Sequence, residues 1–367
     1  MRYHSWIRNL TVYEPGKPIE EVARDLGFSA EAEIIKLAAN ENALGPSPLA
    51  IRAMKNSARQ MHRYPDTGAF LLRRALAARL DVLPDQLLLG HGSNELLAHM
   101  GYAFLDPETE MIVADRAFVV YRLIADLYRA HTVTVPMRDL THDLDAMAVA
   151  ITPRTRLLFV ANPNNPTGTV VTPEAIERLM AQVPDSVTVV FDEAYVELLD
   201  PAKQPDTLRY VREGRSVFVL RTFSKTYGLA GLRIGYVIGP VEGIQALDRV
   251  RQPFNVSAMA QAAAIAALGD DAHVLRTRHL VESGLRQLGR GLRRLGVDYV
   301  PSVVNFLLVR TGEGRRVFEQ LQRHCVIVRP MDGYGLPDCI RVTVGTPREN
   351  RLFLAALQAV LSERILV

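Results

Sequence analysis

The sequence predicts an α/β protein: a mostly parallel seven-stranded sheet with helices on both faces, joined to a smaller α+β domain. Three observations carry this. Short runs rich in Val, Ile and Leu recur through the middle of the chain and alternate with amphipathic stretches, as expected of strands buried on both faces. After about Pro240 the pattern changes to a helix-rich stretch, then to a few further strands and helices. The 367 residues also exceed one typical hydrophobic core, so two packed units are expected.

Taken in order, residues 1–44 have no sheet pattern of their own and are expected to pack on the smaller domain or on a partner subunit. Residues 45–260 form the expected large domain. Its strands are read at 86–90, 111–114, 132–135, 157–161, 187–191, 217–220 and 234–238, with helices between most of them, such as 94–104 and 173–182. Residues 261–367 form the expected small domain. The helical stretch continues to Leu295, and strands follow at 305–309, 326–329 and 340–344, with helices at 315–324 and 348–363.

Composition excludes several classes. Hydrophobic residues make up 48% and charged residues 23%, as in ordinary soluble proteins. The net charge of +3 is dispersed. The densest basic stretch, Arg286, Arg290, Arg293 and Arg294, has helical spacing and reads as a solvated helix face, not a nucleic-acid surface. No apolar run approaches the roughly 20 residues that span a bilayer. Neither nucleic acid nor membrane is therefore an expected partner, whereas a small anionic substrate needs only one or two well-placed arginines. Cys325 and Cys339 lie in no CxxC and read as reduced thiols. The N-terminal MRYHSWIRNL has no apolar signal core, so the cytoplasm is the expected location. His142, Asp143 and Asp145 read as a surface loop and helix cap, not as metal ligands. Tyr121 is read as core packing at least as readily as pocket wall, and Trp6 as cover for an apolar seam.

The chemistry-bearing motifs fall just after predicted strands, where an open α/β sheet binds its ligands. Gly90-His91-Gly92-Ser93-Asn94-Glu95 joins a strand to a helix; its small residues allow close approach of an anion to free N–H groups at the helix start. Glu95 stands where a dinucleotide fingerprint has its third glycine, so that reading is weak. Asn162-Pro163-Asn164-Asn165-Pro166-Thr167-Gly168 is a rigid loop with unusually many polar side chains. Asp192 ends a very apolar strand, where a carboxylate is costly without a cationic partner such as a pyridinium N–H. Lys225, within 221-RTFSKTYGLAGLR-233, sits among hydroxyls and glycines after a buried strand; a partly desolvated lysine has a lowered pKa and can form a Schiff base.

Together, NPNNPTG, FDEAY and SKTYGLAGLRIGY, in this order, resemble the fold-type I pyridoxal-5′-phosphate (PLP) aminotransferases of class I/II. YEPGKPIEE near the start, KLAANENALGPSP, the RYPD at 63–66 and the closing VRPM…YGLPDCIRVTVGT are similar to the histidinol-phosphate aminotransferase family. The resemblance covers nearly the whole chain. It implies that Lys225 carries PLP and later shuttles a proton between the substrate Cα and the cofactor. It implies that Asp192 pairs with the ring nitrogen, Asn165 and Tyr195 bond the ring's phenolic oxygen, and Phe118 stacks on the ring. Ser93, Asn94, Thr222, Ser224 and Arg233 would hold the phosphate, with Tyr64 reaching in from the second subunit of a homodimer. Arg341 would clamp the substrate carboxylate, Asn42 would help close the site, and Tyr13 and Arg329 would face the far end of the substrate.

The implied reaction takes L-histidinol phosphate and 2-oxoglutarate to imidazole acetol phosphate and glutamate. An aromatic amino-acid aminotransferase, a PLP decarboxylase or lyase such as a threonine-phosphate decarboxylase, and a binding protein that kept the fold remain open on the residues alone. Two departures from the family pattern bear on the substrate. Asp115-Arg116-Ala117-Phe118 replaces a Pro-Thr-Tyr type of sequence, and Ala43 replaces a common proline.

Overall fold

The computed structural model describes residues 1–13, 16, 18–29 and 33–363. Glu14, Pro15 and Lys17 of the YEPGKPIEE motif and the last four residues of the expected small domain lie outside them. The described strands in chain order are β1 (Ile35–Lys36), β2 (Leu87–Gly90), β3 (Glu110–Ala114), β4 (His131–Val135), β5 (Thr155–Ala161), β6 (Thr188–Asp192), β7 (Val217–Thr222), β8 (Gly235–Ile238), β9 (Asp298–Val300), β10 (Phe306–Arg310), β11 (Val326–Ile327), β12 (Arg329–Pro330) and β13 (Cys339–Thr343).

The large sheet has the order β2-β8-β7-β6-β5-β3-β4, and only β8 runs against the others. All seven of its strands stand where the apolar runs predicted them. The two-residue period of a strand divides its side chains between two cores. On one face Leu158, Val160, Val189, Phe191, Val217 and Val219 meet helices that include Phe70–Leu80, Pro173–Gln182 and Ala258–Leu268. On the other, Leu157, Phe159, Val190, Phe218 and Leu220 meet helices Ser93–Phe104, Val120–Tyr128 and Val241–Val250. Each such fully buried side chain contributes roughly 1.5–3 kcal/mol of transfer free energy, which is why these runs cannot be solvent-facing loops.

The second sheet is antiparallel, in the order β12-β13-β10-β9. Helices Gly314–Arg323 and Pro347–Glu363 and the end of the long helix Asp271–Arg294 close a separate core around Leu288, Leu292, Leu307, Val309, Leu321 and Phe353. Arg286, Arg290, Arg293 and Arg294 all lie exposed on that long helix, a solvated face.

Two expectations need correction here. The N-terminal segment does carry a strand: β1 pairs parallel with β11, with Ile35 N–H donating to Cys325 O at 2.9 Å and Leu37 N–H to Ile327 O at 2.7 Å. The run 326–329, expected as one strand, changes partner after two residues, because β11 pairs with β1 while β12 pairs with β13. Trp6 belongs to no described core and stacks on His4 at 6.0 Å.

The sheet's polarity positions the site. β2, β3, β5, β6 and β7 all end at one edge, and they lead into Ser93, Phe118, Asn165, Asp192 and Lys225 respectively. β8 runs the other way, so its start, just after Arg233, lies at that same edge.

Candidate active site

These strand ends surround a cavity of about 290 Å³. Tyr13, Ser93, Asn94, Phe118, Asn165, Asp192, Tyr195, Thr222, Ser224, Lys225, Arg233, Arg329 and Arg341, thirteen of the fifteen side chains singled out from the sequence, line it. Asn42 and Tyr64 do not. The Asn42 amide donates to Thr226 O at 2.9 Å and Thr277 Oγ1 at 3.0 Å, behind Lys225 and not toward the cavity. Tyr64 is 80% exposed and stacks on Phe254 at 4.3 Å, so within its own protomer it touches none of this.

One end of the cavity suits an anion. Helix Ser93–Phe104 begins after Gly92, which has φ +71° and provides no side-chain cap, so its first N–H groups are left to an external acceptor. A Cβ at Gly92 would come within 2.5 Å of Arg233 Nη2, and one at Gly235 within 2.8 Å of Ser93 N. Glycine at both places lets backbone and guanidinium converge. Thr222 and Ser224 add hydroxyls joined at 3.0 Å. Glu95, in the place of the fingerprint's third glycine, turns away and accepts from His91 N–H and Asn255 Nδ2.

At the centre lies Asp192, 6% exposed. Its Oδ2 accepts from Tyr121 Oη at 2.7 Å and its Oδ1 from Ala194 N–H at 3.2 Å. Burial pushes its pKa above the ordinary carboxylate range, with the two donors opposing. Tyr121, read as core packing from the sequence, is therefore also the carboxylate's partner; its ring stacks on Phe159 at 4.6 Å and meets Phe118 edge-on at 5.7 Å. It lies three residues after Phe118, in the first turn of the helix Val120–Tyr128, a nearness that could have brought it to notice. Across the cavity Tyr195 Oη accepts from Asn40 Nδ2 at 2.9 Å, and burial raises its hydroxyl to about 12. Asn40 is buried, lines the cavity and was missed, although it stands inside the KLAANENALG stretch.

Lys225 Nζ donates to Ala39 O at 3.0 Å. Burial, and then the positive Arg341, bring its pKa down to about 7, against the pull of Glu41. About half of such an amine is neutral at pH 7, and the neutral form can act as nucleophile and base. Arg341 is 6% exposed; its guanidinium donates to Asn165 Oδ1 and to Ala38 O (2.9 Å for the latter), and its Nε is buried without a partner. A buried cation with an unused donor calls for an anion. At the mouth, the Arg329 guanidinium lies 5.7 Å over the Tyr13 ring.

The polar loop 162–168 is held by its own side chains. Both of its Asn–Pro bonds are cis. The Asn164 amide donates to Arg116 O and Thr167 Oγ1, and its Oδ1 faces His142 Nε2 at 3.2 Å. His142 is thus buried, not in a surface loop, and burial takes its pKa down to about 4. Asp143 does cap the following helix, accepting from Ala146 N–H at 3.0 Å.

The residues fit PLP part by part. The open helix start and Arg233 suit its phosphate, and Asp192 is a buried carboxylate with no ion-pair partner among the described residues. Phe118 is an available ring face, and Lys225 is an amine in the same cavity. The comparisons agree. Residues 32–357 match the family described as aminotransferase class I and II. The chain is 48% identical to a histidinol-phosphate aminotransferase of Akkermansia muciniphila, over 97% of both chains. It is 47% identical to one of Moorella thermoacetica, over 97% of this chain and 92% of that one. Its fold matches a histidinol-phosphate aminotransferase of Sinorhizobium meliloti, solved in complex with pyridoxal-5′-phosphate, with a TM-score of 0.90 at 28% identity over 99% and 98% of the two chains. With fold, site and relatives in agreement, the chain belongs to the aminotransferase class I and II family, within its histidinol-phosphate aminotransferase group.

Proposed function

We propose that this enzyme uses PLP to move the amino group of L-histidinol phosphate onto 2-oxoglutarate, giving imidazole acetol phosphate and L-glutamate. The observation that carries the reading is the pairing of Lys225, an amine with a pKa near 7, with a buried, incompletely satisfied Arg341 in one cavity. The bound cofactor supplies a ring that draws off the electron pair left when the substrate loses its Cα proton. Lys225 would take that Cα proton and return it beyond the amino nitrogen, two bonds away. Asp192, held by Tyr121, would keep a proton on the ring nitrogen, and Tyr195 and Asn165 would bond the ring oxygen. Ser93, Asn94, Thr222, Ser224 and Arg233 would hold the phosphate and Phe118 would cover the ring.

One pocket must take two substrates in turn. Glutamate carries carboxylates and histidinol phosphate carries a phosphate, and both fit a guanidinium fork. Arg341 and Arg329 serve both, which also explains how a site can serve a substrate with no α-carboxylate. Closure of the site by Asn42 is indirect, through its bonds to Thr226 and Thr277 behind Lys225. The working unit is a homodimer. Met61, Tyr64, Phe70 and Leu71 stand exposed on one stretch of chain, with Phe254 stacked on Tyr64, and a second copy of the chain would cover them. Tyr64 then reaches the phosphate end of its partner's site.

The test is product analysis with histidinol phosphate and 2-oxoglutarate. Glutamate formed in step with loss of the donor, dependent on added PLP, is expected. Release of carbon dioxide, or no glutamate, would overturn the reading.

A further inference from the structure

Lys225 and Glu41, which line the cofactor cavity, also line a second chamber with about 10 Å³ of free volume, enough for one water. Its walls come from the N-terminal segment (Glu41, Asn42), the lysine loop (Lys225, Thr226), the long helix (Thr277, Val281) and the small domain (Asn305, Val344). Most polar groups there have partners. Asn42 Nδ2 donates to Thr226 O and Thr277 Oγ1, and Asn305 Nδ2 donates to Asn40 O at 3.0 Å and Glu41 O at 3.4 Å. Two do not: Thr226 Oγ1 and Asn305 Oδ1 are buried and unpartnered, in residues only 1% and 4% exposed. One is a hydroxyl, which can donate or accept; the other is a pure acceptor. A water is the ligand that matches this set, since it can donate to the amide oxygen and exchange a bond with the hydroxyl.

We infer that Thr226 and Asn305 build a site for a single internal water beside Lys225. The function of this water rests on the proposed role of Lys225 as the proton carrier. Its consequence is electrostatic. The charged groups that bear on Lys225 are Arg341, Arg233 and Lys36, which oppose its protonation, and Glu41 and Asp192, which favour it. A water dipole at the chamber adds to the second group, so it holds the protonated amine in a place where burial and Arg341 would otherwise drive its pKa lower. Losing one hydrogen bond of ordinary net strength should lower that pKa by about 0.7 of a unit.

Two measurements test this. A crystal structure of the holoenzyme at a resolution that orders waters should show one within hydrogen-bond reach of both Thr226 Oγ1 and Asn305 Oδ1. That readout does not depend on the substrate, so it separates the site from the reaction assigned to the enzyme. In solution, Thr226→Val should move the acid limb of the pH profile for the 2-oxoglutarate half-reaction down by about 0.7 of a unit. Thr226→Ser, which keeps the hydroxyl, should leave the limb at the wild-type position. A dry chamber in the wild-type crystal would overturn the inference. So would a limb that stays put in Thr226→Val, or one that moves equally in Thr226→Ser.

Discussion

Replacing Tyr121 by phenylalanine removes one hydroxyl from a fully buried ring and leaves the ring's stacking on Phe159 in place. The hydroxyl is the donor to Asp192 Oδ2 at 2.7 Å; after its loss the Ala194 N–H on Oδ1 is the remaining described donor to that carboxylate. A hydrogen bond to an ionised group is worth ~1.5–3 kcal/mol, so the carboxylate's hold on a cationic ring nitrogen should weaken by roughly 10- to 150-fold. The cation itself offsets part of the loss, which places the expected effect near the lower end. Titration of the apoprotein with PLP should therefore give a Kd about tenfold higher, and single-turnover rates with a saturating donor should fall with it, at nearly unchanged Tm. An unaltered Kd and rate together with a Tm lowered by several degrees would refute the reasoning and return Tyr121 to plain core packing.

Three further outcomes are expected. Gly92→Ala puts a Cβ within 2.5 Å of Arg233 Nη2 on a backbone with φ +71°, so it should displace the guanidinium and weaken PLP binding by tenfold or more, measured by the same titration. In the enzyme form whose Lys225 amine is free, only the neutral amine accepts a proton. Its half-reaction rate should thus fall about tenfold per unit below a pH of about 7 and level off above it, read by stopped-flow across pH. Tyr64→Phe should speed loss of PLP from the proposed homodimer on dialysis; retention equal to wild type would refute the proposed role of Tyr64 at the phosphate.

What the sequence disclosed and what it withheld follow the range of the interactions. The seven strands of the large sheet were legible because each is a short apolar run with both faces buried, and that pattern is local. The site motifs were legible for a related reason: each falls within a few residues of a strand end, and the sheet itself gathers them. β1 was not, since two residues joined by backbone bonds to β11 leave no periodicity. The partnerships Tyr121–Asp192, Asn40–Tyr195 and His142–Asn164 bridge separations of 71, 155 and 22 residues and depend on side-chain direction. Only the fold reveals them. The change of partner within 326–329 was hidden for the same reason, because one apolar run serves two sheets.

The central claim is that this cavity takes histidinol phosphate as its amino donor. Its most direct test is a half-reaction assay: the PLP-loaded protein is mixed separately with histidinol phosphate, phenylalanine and glutamate, and the absorbance band of the lysine-bound cofactor is followed. Rapid loss of the band is expected with histidinol phosphate and glutamate, and slow loss with phenylalanine. A faster reaction with phenylalanine, or no change with any of the three, would contradict it.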